Sequence, residues 1–409
     1  MCFMRVLVIN ADCLTRNSSA NLCHLSYIRG LIENGFEVDV LSADGKDYQL
    51  DPAMVIPKEV TNYTIYGVSL YEKASIIKSR QAEQVVEENQ MKGNDTDHVG
   101  FAKFNIFLKR IILSLYGPHG IYRTFIRKAM TFSSSNRYDL LLSISTPPAS
   151  HLLAYKLLKK GNIQAKRWIQ IWEDPWFSDA YGFSAKKAIL KEEKRLLTVA
   201  DKICYVSPLT LKNQQVLFPE SAKKMFWEPL PSYYQNNNLE NAVEGYHFGY
   251  FGDYAPEARD LRPFYEAAKA KKINVEICGN PSNLFEATDK INIHPRLPLD
   301  ELKYIEDKTN VLIFLCNKKG GQIPGKIYQY AATSKKILFI LDGTADEKEV
   351  LYEYFSQFHR FLFCENNVDS IGKAIERVLN SDTVGIDDIP LNDFSSGKII
   401  QRIIRHMEK

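Results

Sequence analysis

The chain has 409 residues, of which 45% are hydrophobic and 25% charged, with a formal net charge of +3. That length exceeds one ordinary core and predicts two soluble globular domains, and so small a net charge excludes whole-molecule attraction to nucleic acid as the basis of function. Seven cysteines stand singly, with no C-x-x-C pair, which argues against a disulfide framework or a zinc site and for a reducing cytoplasm.

In chain order, the apolar run Val6-Leu7-Val8-Ile9 reads as a strand buried on both faces. It is too short for a signal peptide, and no run approaches the ~18 apolar residues of a membrane span. A polar loop, Asn10 to Ser19, leads into a helix with Leu22, Leu25, Ile28, Leu31 and Ile32 on one side, closed by Gly35. Val38 to Leu41 is the next strand, so the chain opens as a βαβ unit and predicts a parallel sheet. Glu72 to Val99 is polar and contains Asp95-Thr96-Asp97; it reads as a surface excursion. Residues 101–130 hold six Lys or Arg and no Asp or Glu, with Phe104, Phe107, Leu108, Ile111, Ile112 and Leu115 at helical spacing. This segment reads either as a core helix with a solvated basic side or as a face for an anionic membrane.

Leu140 to Ile144 is a strand followed by a helix from Ser150 to Lys160, and Arg167 to Trp172 is a strand followed by a loop. Asp201 to Val206 reads as the last strand of the first half. Residues 231–245 carry Asn236-Asn237-Asn238 and little apolar content, the signature of a linker. The βα rhythm then resumes: strands at 247–252, 274–279, 310–315 and 337–341, with a helix near Leu261 to Ala270. A final amphipathic helix spans Gly397 to Met407. The expected domains are 1–230 with the C-terminal helix 394–409, and 246–393. The expected fold is α/β, two Rossmann-like doubly wound domains facing across a cleft, with the C-terminal helix packing back on the N-terminal domain.

Such sheets bind ligands beyond the carboxyl ends of their strands. In the second half those ends carry Gly252-Asp253-Tyr254, Gly279-Asn280-Pro281, the stretch Asn317 to Lys326, and Asp342-Gly343. Small residues there allow close backbone approach, and Lys326 at the mouth of a helix concentrates positive potential. Arg259 offers a second cation with forked donors. Against this, Tyr328 and Tyr330 read more simply as packing residues, Arg259 beside Asp260 as a surface pair, and His151 as a helix cap or packing group.

The arrangement resembles the GT-B glycosyltransferases, and within them glycosyltransferase family 4 of bacterial surface-polysaccharide assembly. The resemblance runs through Met4 to Ile9 with Asn34 to Val38, through Ser145-Thr146-Pro147-Pro148-Ala149-Ser150-His151-Leu152, and through Trp172-Glu173-Asp174-Pro175-Trp176. It continues in Ala200 to Ile203 with Val206-Ser207, in Tyr250-Phe251-Gly252, and in Ile323-Pro324-Gly325-Lys326-Ile327-Tyr328-Gln329-Tyr330. It implies a retaining, metal-independent transfer of a sugar from a nucleotide-diphosphate-sugar to a glycan or lipid-linked acceptor, with no cofactor. Lys326 and Arg259 would grip the diphosphate, Gln329 would sit near the ribose, and Arg296 with Leu297 near the base. Gly252, Asp253, Asn280, Ile323, Pro324, Gly325 and Tyr330 complete the expected donor side. Asp174 is the expected group that takes or orients the acceptor proton, with Glu173 as rival, and Ser18, Ser19 and His151 are further acceptor-side candidates. The expected location is the cytoplasm, peripheral on the inner face of the membrane through 101–130.

Two features depart from the family pattern. Its pair of glutamates is replaced by Gly321 and Gln329, and its glycine-rich first loop by Arg16-Asn17-Ser18-Ser19-Ala20. These departures keep two alternatives open: a GT-B partner or sensor subunit that has lost turnover, and a nucleotide-sugar epimerase. A dehydrogenase is disfavoured because no G-x-G-x-x-G follows the first strand. Asp95-Thr96-Asp97 fits the Asp-x-Asp of metal-dependent transferases but falls in the polar excursion.

Overall fold

The computed structural model describes residues 4–69, 72–73, 118–178, 187–234, 245–319 and 321–408. Asp95-Thr96-Asp97, the apolar stripe of 101–117 and the linker stretch 235–244 lie outside the described residues. Those described form β1 (Arg5–Ile9), α1 (Ser19–Glu33), β2 (Glu37–Ala43), β3 (Thr61–Ile65), α2 (Arg123–Ala129), β4 (Arg137–Ser145) and α3 (Ala149–Lys160). Next come β5 (Gln164–Trp172), α4 (Lys187–Val199), β6 (Lys202–Tyr205), α5 (Pro208–Leu217) and β7 (Met225–Trp227). Then follow β8 (His247–Phe251), α6 (Arg262–Lys271), β9 (Asn274–Cys278), β10 (Ile291–His294), α7 (Leu299–Asp307) and β11 (Val311–Leu315). The chain closes with α8 (Lys326–Ala331), β12 (Lys336–Leu341), α9 (Ala345–Ser356), β13 (Leu362–Glu365), α10 (Val368–Leu379) and α11 (Ser396–Glu408).

The strands make a seven-stranded sheet, β3-β2-β1-β4-β5-β6-β7, and a six-stranded sheet, β10-β9-β8-β11-β12-β13. Parallel pairing sets Val6 opposite both Val38 and Leu140, and Phe248 opposite both Val275 and Val311. The two sheets with their interleaved helices are the two Rossmann-like domains that the βα rhythm predicts. Their central strands read as unbroken apolar runs because helices cover both faces, and Val6 to Ile9 are fully buried. Four strands escape the sequence reading: β3, β7, β10 and β13. Each is at an edge and three to five residues long, and β3 is made of exposed and half-buried residues, so none carries an apolar run as long as those of the central strands.

By contacts, the described residues fall into two compact units. The first collects those of 1–16, 35–177 and 184–203; the second those of 17–34, 178–183 and 204–409. In the second unit, Phe248, Phe264, Ile277, Ile313, Ile340 and Ile375 belong to one buried core. Helix α1 starts at Ser18, whose side chain accepts from Asn21 N–H, and ends before Gly35 at φ +78°. The C-terminal helix α11 packs back on α1, the first helix of the chain. Gly30 makes that approach possible, because a Cβ there would lie 2.2 Å from the Ser396 carbonyl oxygen. Asn34 Nδ2 donates to Gly397 O at 3.0 Å, and Ile399, Ile400 and Ile403 are buried. No helix among the described residues is long and apolar enough to cross a membrane.

Candidate functional site

In the six-stranded sheet the strand order reverses between β8 and β11. A crevice at such a reversal is where open α/β sheets bind ligands. Gly252 and Asp253 follow β8, and Gly252 N–H donates to Cys278 O at 2.9 Å. Gly279 follows β9 with φ +155°, and a Cβ on it would lie 2.0 Å from Gly252 O. Only glycine lets these two loops touch. Asp253 then locks them: its Oδ1 accepts from Asn280 N–H at 3.0 Å, and its Oδ2 lies 3.7 Å from Arg296 Nη1. Arg296 is exposed and Leu297 half-buried, so both stand at the rim.

Arg259 is half-buried, and its Nη1 lies 3.6 Å from where a Cβ of Gly252 would stand. The guanidinium therefore lies over the glycine at the end of β8. The loop after β11 reaches the same place, with Lys318 N–H donating to Ala258 O at 2.8 Å and Asn317 Nδ2 to Gln322 O at 3.0 Å. Lys326 opens α8 and is half-buried, with Nζ 5.9 Å from the centre of the Tyr330 ring. Its charge is felt at the end of β9: burial pushes the Cys278 thiol up to about 12, Glu276 adds to this, and Lys326 opposes it. Helix α8 has only six residues, so its terminal dipole is small, and the lysine side chain supplies the positive potential.

The remaining donor-side candidates have structural partners. Ile323 is buried, and Pro324 and Gly325 are half-buried. A Cβ on Gly325 would meet Leu230 Cδ1 at 3.2 Å. Gln329 is buried, and its Oε1 accepts from the Tyr233 N–H at 2.7 Å, the Tyr234 N–H at 3.1 Å and the Ser232 hydroxyl at 3.3 Å. Tyr330 is fully buried, and so is Tyr328, whose ring meets Phe394 at 4.9 Å. Gly321 has φ +68°, and a Cβ on it would lie 2.8 Å from Leu209 Cβ. Its carbonyl accepts from the Ser207 hydroxyl at 2.5 Å. The position where the resemblance places a first glutamate is thus a left-handed glycine pressed against α5, where a side chain has no room.

The first unit holds the acceptor-side candidates Asp174, Glu173 and His151, whereas Ser18 and Ser19 begin α1 in the second. The oxygen of Ser18 caps that helix. The Thr146 hydroxyl donates to Asp174 Oδ2 at 3.2 Å; Asp174 is half-buried and Glu173 buried. His151 is fully buried over Trp172, with ring centres 4.3 Å apart. Trp168 Nε1–H donates to Ser143 Oγ at 2.8 Å, and the same oxygen lies 2.7 Å from His151 Nδ1. Burial, with His119 adding to it, holds the imidazole's pKa well below the ordinary 6.5, so His151 is neutral.

Sequence reasoning missed several polar groups of the first unit. Asp12, just past β1, accepts from Arg16 Nη2 at 2.6 Å, and Tyr48 donates to Glu72 Oε1 at 2.5 Å. Glu192 on α4 meets His119 Nε2 at 2.9 Å and takes two hydrogen bonds from Arg195. Burial opposes its ionisation, yet these partners draw its carboxyl down to about 2. Its neighbour Glu193 is fully buried and bonded to the loop that carries Asp174. One signal could have found Glu193: it stands three and four residues from Leu196 and Leu197, the buried side of α4. Among the described residues, no group of three or more His, Cys, Asp or Glu is placed to hold a metal ion.

No family model matches the chain, and no curated protein does. Solved structures do. A glycosyltransferase from Rickettsia africae aligns over 100% of this chain and 99% of its own, with a TM-score of 0.53 and 12% identity. AviGT4, a glycosyltransferase involved in avilamycin A biosynthesis, aligns over 99% and 97%, with a TM-score of 0.51 and 9% identity. The S. aureus MnaA–UDP structure aligns over 99% and 96%, with a TM-score of 0.49 and 12% identity. At these identities the likeness to the first two speaks to architecture alone, and with the two parallel sheets it gives the chain the GT-B fold of two Rossmann-like domains.

Proposed function

We propose that the protein is a retaining glycosyltransferase that moves a sugar from a nucleotide-diphosphate-sugar to a glycan or lipid-linked acceptor in surface-polysaccharide assembly. The observation that carries this reading is the donor-side cluster of the second unit, supported by an architecture shared with glycosyltransferases. Arg259 lies over Gly252, the loops after β8 and β9 touch through Gly279, and Lys326 projects its charge to the end of β9. In this reading the two cations hold the diphosphate and stabilise the charge that develops on it as the sugar departs. No metal is required for that role. Arg296 and Leu297 stand at the rim for the base. Asp174, kept in place by Thr146, takes or orients the acceptor proton. The basic segment 101–130 holds the enzyme at the inner face of the membrane, and loss of binding to phosphatidylglycerol vesicles on reversing Arg123 and Arg127 to glutamate is the check.

A second reading is favoured by one observation. The carboxylate pair of the family is absent, with Gly321 sterically closed and the Gln329 carbonyl occupied by residues 232–234. A partner or sensor that binds nucleotide-sugar without turnover has the same donor cluster. Incubation with UDP-, GDP- and dTDP-hexoses, with and without chelator, separates the two. Release of one nucleoside diphosphate, unaffected by the chelator, supports the transferase. Tight binding with no release from any donor supports the sensor.

A further inference from the structure

Two adjacent glutamates of α4 grip the loop after β5 from different sides. Glu193 is fully buried, and its two oxygens accept the backbone N–H groups of Trp176, at 3.3 Å, and Phe177, at 2.7 Å. Glu192, anchored by Arg195, holds His119, whose ring lies 4.9 Å from that of Trp176. Thr146 meets the same loop at Asp174. A buried carboxylate is costly unless paired, and among the described residues Glu193 is paired with these two amides. Burial accordingly pushes its carboxyl up to about 7, against the pull of the two N–H groups. A leucine would fit the apolar side of α4 without that cost, so the acid is placed there for what its oxygens hold.

We propose that Glu193 is a positioning residue: by fixing the backbone of Trp176 and Phe177 it sets the direction in which Glu173 and Asp174 present their carboxylates. The role of Asp174 rests on the glycosyltransferase reading; the grip of Glu193 on the loop does not. Glu193→Gln keeps the shape but turns one acceptor into a donor facing an N–H, and Glu193→Leu removes both acceptors.

The test compares both variants with the wild type in two ways. One is release of nucleoside diphosphate from UDP-, GDP- and dTDP-hexoses; the other is amide hydrogen exchange along residues 173–177. In Glu193→Gln the rate should fall about tenfold or more, with KM for the donor unchanged within twofold and the thermal midpoint at pH 8 no lower than wild type. Exchange at Trp176 and Phe177 should quicken. A purely structural residue would instead lower stability and activity together. An unchanged rate in both variants, or unchanged exchange at these two amides, overturns the proposal. If the wild type turns over no donor, the transferase reading is at fault, and exchange alone decides on Glu193: faster exchange confined to 173–177 supports it, and unchanged exchange overturns it.

Discussion

At the scale of single residues, charge and burial decide what each group can do. Lys326 and Arg259 are half-buried cations whose ammonium and guanidinium groups act from partly shielded positions, where an anion is held more strongly than in water. Gln329 has the opposite character, a buried amide already engaged with three donors. Glu193 gives a prediction with a definite sign. Its folded pKa, about 7, lies above the ordinary 4.5. Its contribution to stability is therefore complete below pH 4.5 and is lost as pH rises through 7. The shift corresponds to roughly 3 kcal/mol at 1.36 kcal/mol per unit. The stability of Glu193→Gln relative to wild type should thus rise by about that amount between pH 4 and pH 8, read by urea unfolding. A difference that stays constant over this range would contradict the assignment.

The central elements were legible in the sequence because their physics is local. Val6 to Ile9 and Leu312 to Leu315 are apolar runs that only a doubly covered strand explains, and Gly35 and Gly161 stop their helices at φ +78° and +73°. Edge strands were not legible, because β10 and β13 carry four residues each and bury only one or two of them. The helix after Pro324-Gly325 was expected and is present, but its six residues shift weight from helix dipole to lysine. The pairing of α1 with α11 yields a second prediction. Gly30→Ala places a methyl group 2.2 Å from Ser396 O, which α11 can relieve only by moving away. The expected cost is about 2 kcal/mol, measured by denaturant unfolding, with faster amide exchange in α11. Unaltered stability would contradict a close approach of α1 and α11 at Gly30.

On the scale of the whole molecule, the βα rhythm announced two Rossmann-like domains, and the shared architecture with solved glycosyltransferases agrees. The candidate site was only partly readable. Loops such as Gly252-Asp253 and Lys326 could be named because they must follow strands, whereas the contacts that organise them join distant stretches. Asp253 reaches Asn280 and Arg296, Ser207 reaches Gly321, and Glu193 reaches Phe177. No local pattern encodes those pairings. Gly321, standing where the resemblance expects a glutamate, was visible in the sequence, but the press of α5 on it was not.

The central claim is that the second unit holds a nucleotide diphosphate through Lys326. Thermal denaturation with UDP, GDP, dTDP and CDP, on the wild type and on Lys326→Ala, tests it most directly. One nucleotide should raise the wild-type midpoint by several degrees at concentrations well above its Kd, and that shift should vanish in the variant, whose own midpoint stays close to wild type. An equal shift in both proteins, or no shift with any nucleotide, would contradict the account.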